Sequence, residues 1–461
     1  MSAPTSASTI MKVEACDLDT PGKRNKYTVS VEGLGRIGLP TACLFAEAGF
    51  RVIGTDSDQH VVSLLKKGKT PYIEPELSML LKKHVKSGCL AFTTDNKKAA
   101  TESDILMFAL PSDVDGKKKP DYSQVEKACK EVGTELRRGS LVIFAGTTGP
   151  GITETLFQET LENASGLKAG IDFGLAHSPT RAAPGKILRD IGTYARVVGA
   201  INGQSFKVAS LVLSTFVKGG IVRVHDVKTS EAVKLFENVH RDVNLALAND
   251  FALLCEKIGI DYLEAQEAAN TQPYCHLLVP GIVSGHIPKD PYLLLEEAEN
   301  IGAKLRLLEL ARKINDEMLE HTVQLVRDAL RQGEKTLRRA RITVLGVSYR
   351  ANIKEPSGTK TKELVNMLTR KGAIVHVFDP LYSYNELKEM GYPAERTLTK
   401  TIEGADCLVI LVGHTRFKRL SSRKTKFLMR KAAAIVDMGH IIDPVKAERE
   451  GFVYRGVGRG V

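Results

Sequence analysis

The stretch Gly33-Leu34-Gly35-Arg36-Ile37-Gly38 constrains this chain more than any other. A short β-branched run, Tyr27-Thr28-Val29-Ser30-Val31, leads into it, and a helical stretch leaves it through Ala48. After Gly49, the run Phe50–Thr55 reads as a second strand that ends at Asp56. Strand, glycine turn, helix and strand within about thirty residues form a βαβ unit. Each glycine then has its own task. The first permits the tight turn, the second lets backbone approach a pyrophosphate, and the third lets the helix lie close to the strand. Asp56 sits where a carboxylate accepts hydrogen bonds from ribose hydroxyls and repels a 2′-phosphate. Gly33, Gly35, Arg36, Ile37, Gly38 and Asp56 are therefore expected to hold NAD rather than NADP. Asp58 is a second acceptor that reads as facing solvent. One residue departs from the pattern. Glu32 stands in an otherwise apolar strand, either as a strand-end residue touching water or as a contact near the cofactor.

Further strand-like runs follow at Ile105–Leu110, Leu141–Ala145 and Phe173–His177, with helical segments between them. That alternation implies a parallel, doubly wound sheet. From about Thr229 to Ile258 apolar residues recur at helical spacing with no Gly or Pro until the end, which predicts one long helix. Such a helix separates two lobes and often carries an oligomer contact. The polar stretch Arg331–Arg341 reads as a surface linker or a helix end. The first pattern then returns: a strand over Ile342–Gly346, a helix over about Thr361–Lys371 and a strand over Ala373–Phe378 ending in Asp379. This second copy lacks the three-glycine turn and should bind something other than a pyrophosphate. The expected fold is α/β: two doubly wound Rossmann-like domains joined by a central helical dimerisation segment. The expected limits are a flexible tail over 1–26, a dinucleotide domain over 27–205, a central domain over 206–330 and a C-terminal α/β domain over 331–461.

Composition narrows the partners. The 461 residues carry 65 basic and 54 acidic side chains, a net charge of +11, which favours an anionic ligand. No apolar run approaches the ~18–20 residues needed to span a bilayer, and the N-terminus has no secretory h-region. Seven cysteines without CxxC spacing read as reduced thiols in a cytoplasmic protein. No cluster suggests a metal. The basic run Arg416, Lys418, Arg419, Arg423, Lys424, Lys426, Arg430 and Lys431 has few interleaved aromatics, so it reads as a solvated face rather than a nucleic-acid surface. Lys234 and Asn238 share a helix face, and Asp290 lies in the Gly/Pro-rich loop Gly285-His286-Ile287-Pro288-Lys289-Asp290-Pro291-Tyr292. A lysine and an aspartate brought together by a fold can remove a proton from an alcohol and hold the charge that develops.

These motifs occur in a familiar order. GLGRIGLP, GKTPYIEPEL, DFGLAHSPTRAAPGK, SEAVKLFENVHRDVNLALAND, AANTQP, GHIPKDPY, VLGVSYRANIKE, FDPL, ADCLVILVGH and YRGVGRG span about Val29 to Gly460. The chain resembles the UDP-glucose/GDP-mannose dehydrogenase family, on the side of its UDP-N-acetylmannosamine branch. The resemblance implies an NAD domain, a central segment that forms a homodimer and a C-terminal UDP-binding domain. It implies oxidation of a sugar C6 alcohol in two hydride transfers, the second through a thioester on a cysteine. It places Thr147 beside the cofactor and the reacting carbon, and gives catalytic roles to Lys234, Asn238 and Asp290. Arg181, His286, Tyr349 and Arg350, with Lys234 and Asn238, are implied to contact the UDP-sugar, and Gly185 lies in the substrate-facing loop.

The resemblance also exposes departures. The family loop reads roughly GGHCIPVDP, whereas this chain reads SGHIPKDP, without the cysteine. Thr180 stands where the family keeps a catalytic glutamate, Gly146 where it keeps a serine, and KEPSGTK lacks the arginine of the family's RESP motif. Cys275 lies upstream on no matching position and reads as a plain thiol. The residues for the first hydride transfer are present, and those for covalent capture of the aldehyde are gone. The expected activity is NAD-dependent oxidation of a UDP-sugar with altered chemistry, either a two-electron oxidation or a transient oxidation that epimerises the sugar. The alternative is a non-catalytic paralogue that binds NAD and nucleotide sugar.

Overall fold

In the computed structural model, residues 11–420 and 422–460 are described. The chain forms two compact units. One comprises residues up to Glu237 together with Tyr292–Lys304, and the other comprises Asn238–Pro291 and Leu305–Val461.

The first unit holds β1 (Thr28–Glu32), β2 (Arg51–Thr55), β3 (Leu90–Thr93), β4 (Ile105–Phe108), β5 (Asp113–Val114), β6 (Pro120–Asp121), β7 (Leu141–Phe144), β8 (Gly174–His177), β9 (Arg196–Ala200) and β10 (Ile221–Arg223). Eight of them make one sheet in the order β10-β9-β8-β7-β4-β1-β2-β3, while β5 and β6 form a small separate hairpin. β1 lies between β2 and β4, with Val29 opposite Val52 on one side and Ile105 on the other. β1, β4, β7 and β8 are buried throughout, and β4 and β7 accordingly read as continuous apolar runs rather than alternations. The sheet is not wholly parallel as expected: β8 and β9 pair antiparallel.

Part of the stretch expected to be a flexible tail is packed against the core. Residues 1–10 lie outside the described residues, but 11–26 are held in place. Val13 and Leu18 are buried in the core beneath the sheet. Lys12 N–H donates to the Gly139 carbonyl, and Glu14 N–H donates to the Tyr27 hydroxyl.

The long helix is real and spans Val227–Ile258. The second unit also contains a helix that the reading of the sequence did not place, Arg306–Gln332. Its buried face includes Leu308, Ala311, Asn315, Met318, Thr322, Val326 and Ala329, at helical spacing. The stretch Arg331–Arg341, read as a surface linker or a helix end, begins as the end of this helix, and Leu337 and Ala340 beyond it are buried. The second sheet consists of β11 (Arg341–Leu345), β12 (Ile374–Phe378), β13 (Cys407–Ile410), β14 (Ala434–Asp437) and β15 (Val453–Gly456). Its order is β12-β11-β13-β14-β15, and all four pairings are parallel. The helix Arg306–Gln332 packs on β14 and β15.

Candidate active site

The glycine turn shows three different constraints. Gly33 has φ +92°, and a Cβ there would meet Leu110 Cδ2 at 2.8 Å. A Cβ on Gly38 would lie 1.8 Å from the Gly33 carbonyl oxygen, so the helix Gly38–Glu47 can approach the turn only as glycine. A Cβ on Gly35 would meet nothing within 4 Å. Protein packing does not explain Gly35, but a ligand that needs close backbone approach does. Asp56 follows β2; its Oδ2 accepts the Leu34 N–H at 3.0 Å and its Oδ1 the Asp58 N–H at 2.9 Å. Each oxygen retains a lone pair for a ribose hydroxyl. These residues fit NAD. Asp58 is exposed and caps the helix Gln59–Lys66. Arg36 lies over the Tyr72 ring, 5.3 Å from its centroid, and Ile37 is half-buried at the start of the helix.

Glu32 does not touch water. It is 1% exposed and accepts a hydrogen bond from the Thr55 hydroxyl. Burial pushes its carboxyl up to about 7. The sequence shows a carboxylate at a strand end; it does not show that β2 and β4 close over it.

A second group of polar residues surrounds the turn after β7. Thr147 is half-buried there. His177 Nε2 lies 3.1 Å from the Gly146 carbonyl, and its Nδ1 lies 3.0 Å from Ser230 Oγ. Burial lowers His177 to about 4, so it is neutral at physiological pH. Thr180 is buried, and its hydroxyl has no hydrogen-bond partner among the described residues. Arg181 pairs with Glu237 at 2.9 Å and also donates to the Ala195 carbonyl. Sequence reasoning missed two carboxylates here. Glu74, in GKTPYIEPEL, accepts the Gly185 N–H at 3.0 Å and the Ile187 N–H at 2.9 Å, fixing the loop that follows Arg181. Glu231 accepts three hydrogen bonds from the segment after Thr147. Both sit in quoted motifs, but only their burial marks them as structural acceptors. Lys234 is half-buried three residues beyond Glu231.

In the second unit, Asn238 Nδ2 donates to Asp290 Oδ2. Asp290 is 1% exposed, and its Oδ1 has no hydrogen-bond partner among the described residues. Lys289 Nζ stands 3.8 Å from that oxygen. The loop ahead of Asp290 is pinned at two points. Asn249 brackets Gly281, accepting its N–H at 2.7 Å and donating to its carbonyl at 3.1 Å. Gly285 N–H donates to the Gly358 carbonyl at 2.9 Å. His286 is exposed on this loop.

A cavity of about 150 Å³ opens beyond the carboxyl ends of β11 and β13, lined by Ser348, Tyr349, Arg350, Lys360, Val412 and Gly413 among others. β12 and β13 flank β11, so the strand order reverses here, which is where open α/β sheets bind ligands. Tyr349 and Arg350 thus share one cavity. Asp379 organises its floor by accepting the Val347 N–H at 2.7 Å, the Ser348 N–H at 3.1 Å and a bond from His414 Nε2 at 3.1 Å. Burial opposes its ionisation, yet the His414 contact and the peptide N–H groups hold its carboxyl below the usual range. Lys354, in KEPSGTK, is bonded to Glu386.

Models of three successive domains match the chain in order. They describe the NAD binding domain over residues 27–217, the central domain over 228–317 and the UDP binding domain over 343–444 of one family. The chain belongs to the UDP-glucose/GDP-mannose dehydrogenase family. A UDP-N-acetyl-D-mannosamine dehydrogenase of Pyrococcus horikoshii is 36% identical over 435 residues, covering 94% of this chain and 99% of that protein. The solved structure of the UDP-D-ManNAc dehydrogenase from the same organism superimposes with a TM-score of 0.87 at 35% identity, covering 94% and 99%. An NDP-N-acetyl-D-galactosaminuronic acid dehydrogenase structure from Methanosarcina mazei gives 0.81 at 30% identity, covering 96% and 98%.

In this dehydrogenase-family chain most thiols lie away from solvent. Cys43, Cys129, Cys255 and Cys407 are buried. Burial pushes the Cys43 thiol up to about 12 and raises the other three as well. Cys275 is half-buried in a turn closed by its N–H to the Gln272 carbonyl. The segment Gly281–Asp290 contains no cysteine. Among the described residues, no helix is long and apolar enough to cross a membrane.

Proposed function

We propose that this dehydrogenase-family chain oxidises a CH–OH group of a UDP-N-acetylhexosamine with NAD and releases the two-electron product. One observation carries the reading. The Asn238–Asp290 pair is intact and buried, while the loop that leads to it, Ser284–Asp290, offers no thiol. NAD, which the turn of Gly33, Gly35 and Gly38 and the Asp56 carboxylate would hold, would supply the acceptor for the hydride leaving the sugar carbon. Asp290 takes up the alcohol proton, with Asn238 fixing one carboxylate oxygen and leaving the other to accept. Lys234 offsets the charge that develops on the substrate oxygen. The balance is one alcohol and one NAD giving one carbonyl, one NADH and one proton. A second oxidation without a thiol has to proceed through the aldehyde hydrate, which no residue of this loop captures covalently.

The N-acetylated sugar is supported by the relatives named above. Tyr349 and Arg350, with Lys360 beside them, suit the uridine diphosphate. Homodimerisation through the central helix is part of the same proposal. Leu247, Phe251, Leu254 and Ile258 are all exposed on it at spacings of four, three and four, one helical face.

The test is stoichiometry. The protein is incubated with NAD and UDP-N-acetylmannosamine, UDP-N-acetylglucosamine or UDP-glucose, and NADH and product mass are followed together. One NADH per sugar with a carbonyl product is expected. Two NADH with a carboxylate product would refute the two-electron reading. An isomerised sugar without net NADH would make the chain an epimerase, and tight NAD and UDP-sugar binding without turnover would make it a non-catalytic paralogue.

A further inference from the structure

We propose that Glu231 is a positioning residue for this oxidation: it clamps the turn that carries Thr147 to the helix segment that carries Lys234. The inference deepens the functional reading above and rests on it. Glu231 is wholly buried. Its Oε1 accepts the Thr153 N–H at 2.8 Å and the Thr148 hydroxyl at 3.2 Å, and its Oε2 accepts the Gly151 N–H at 2.5 Å. Three donors on one six-residue stretch converge on a single carboxylate. The neighbouring residue grips the other end of the same turn. Ser230 Oγ meets His177, whose second ring nitrogen reaches the Gly146 carbonyl. Thr147 therefore sits between two anchored points, and both anchors come from consecutive residues of one helix. Lys234 lies one helical turn further on that helix, four residues from Ser230 and three from Glu231.

The close fit extends to β9. A Cβ on Gly199 would lie 2.1 Å from the Asp226 carbonyl and 2.8 Å from Ser230 Cβ, so the start of the helix cannot back away from the sheet to accommodate a bulkier residue there. The turn is followed by a π-helical stretch, Thr153–Phe157, a geometry that proteins mostly keep at functional sites. Thr153, its first residue, is one of the three donors. A carboxylate accepts two peptide N–H groups as charge-assisted bonds, about twice as strong as neutral ones. An amide in its place presents an N–H to one of those donors. Burial pushes Glu231 up to about 7, so protonation of the clamp falls in the working pH range.

Glu231→Gln and Glu231→Asp, prepared in the full chain, test the clamp in two ways. In steady-state assays with NAD and the UDP-sugar, Glu231→Gln should lower kcat by about 100-fold, the scale of a misplaced reacting group. Its KM for NAD should stay within about threefold of the parent's, because the glycine turn is untouched. The parent's kcat should fall below pH ~7, and that limb should vanish in Glu231→Gln and return in Glu231→Asp, which keeps a titratable group. In the substrate-free proteins, hydrogen–deuterium exchange should rise in peptides covering residues 146–158 of Glu231→Gln and stay unchanged over 28–56. A parent without turnover would sink the functional reading, and the exchange experiment would still decide the clamp. Unchanged exchange over 146–158, or a loss of kcat with the acidic limb retained in Glu231→Gln, would overturn the proposal.

Discussion

Two single residues carry predictions of their own, the proposed base Asp290 and the buried Glu32. Asp290 is buried with one oxygen held by Asn238 and the other without a hydrogen-bond partner among the described residues, 3.8 Å from Lys289 Nζ. Asp290→Asn keeps the shape and removes the proposed base. It should lower kcat by about 10²–10⁴-fold, while calorimetric affinities for NAD and UDP stay near the parent's. Glu32 acts on stability instead. Its carboxyl is raised by burial to about 7 from an ordinary 4.5. Between those values the folded protein keeps a proton that the unfolded chain has released. Stability from this group is therefore complete below pH ~4.5, falls as pH rises and levels off above ~7, a loss on the order of 3 kcal/mol. Glu32→Gln should remove that slope. Melting temperatures of both proteins between pH 4.5 and 8 measure it, and parallel curves would assign the slope to other groups.

At the scale of elements, the glycine turn separates packing from binding. Gly38→Ala puts a methyl group into the Gly33 carbonyl and should cost both stability and NAD affinity. Gly35→Ala puts it in open space, so the melting temperature should hold while NAD affinity drops at least about tenfold; thermal melts and calorimetry on the pair read both effects. This turn was legible in the sequence because its glycines answer to local geometry. So was the helix Val227–Ile258, through its unbroken periodicity. The helix Arg306–Gln332 was not read, because Arg312, Asn315 and Thr322 lie on its buried face and dilute the apolar pattern. Two of them are satisfied across the fold: Arg312 Nη1 reaches Asp242 at 2.6 Å, and Asn315 reaches the same carboxylate at 2.9 Å, while the Thr322 hydroxyl donates to the Met318 carbonyl of its own helix. The antiparallel β9 escaped for a related reason. Strand direction is set by the connection that precedes it, and apolar content carries no direction. The Lys234, Asn238 and Asp290 positions were legible only as a spacing and a loop. That Asn238 grips Asp290, and that Glu231 and Glu74 hold the neighbouring turns, depends on contacts between residues from 52 to 113 positions apart.

The whole molecule combines an NAD binding domain and a UDP binding domain, and both ligands carry a diphosphate. The net charge of +11 suits them, so binding of UDP and NAD should weaken as salt rises. The proposed dimer is testable separately. Phe251→Asp with Leu254→Asp places two charges on the exposed helix face and should convert a dimer to a monomer in sedimentation velocity, with helicity retained. A parent that already sediments as a monomer would remove that part of the reading. Connectivity has a further consequence. The first unit draws on Tyr292–Lys304, where Glu296 and Glu299 receive Lys119 at 2.5 and 2.8 Å. A ribosome that has made the first 237 residues has not finished this unit; its last piece emerges only after the whole Asn238–Pro291 excursion. During synthesis the NAD-binding half must therefore wait, incomplete, for its own last segment, so a chain cut at Glu237 should be a poorer folding unit than its domain-like sequence suggests.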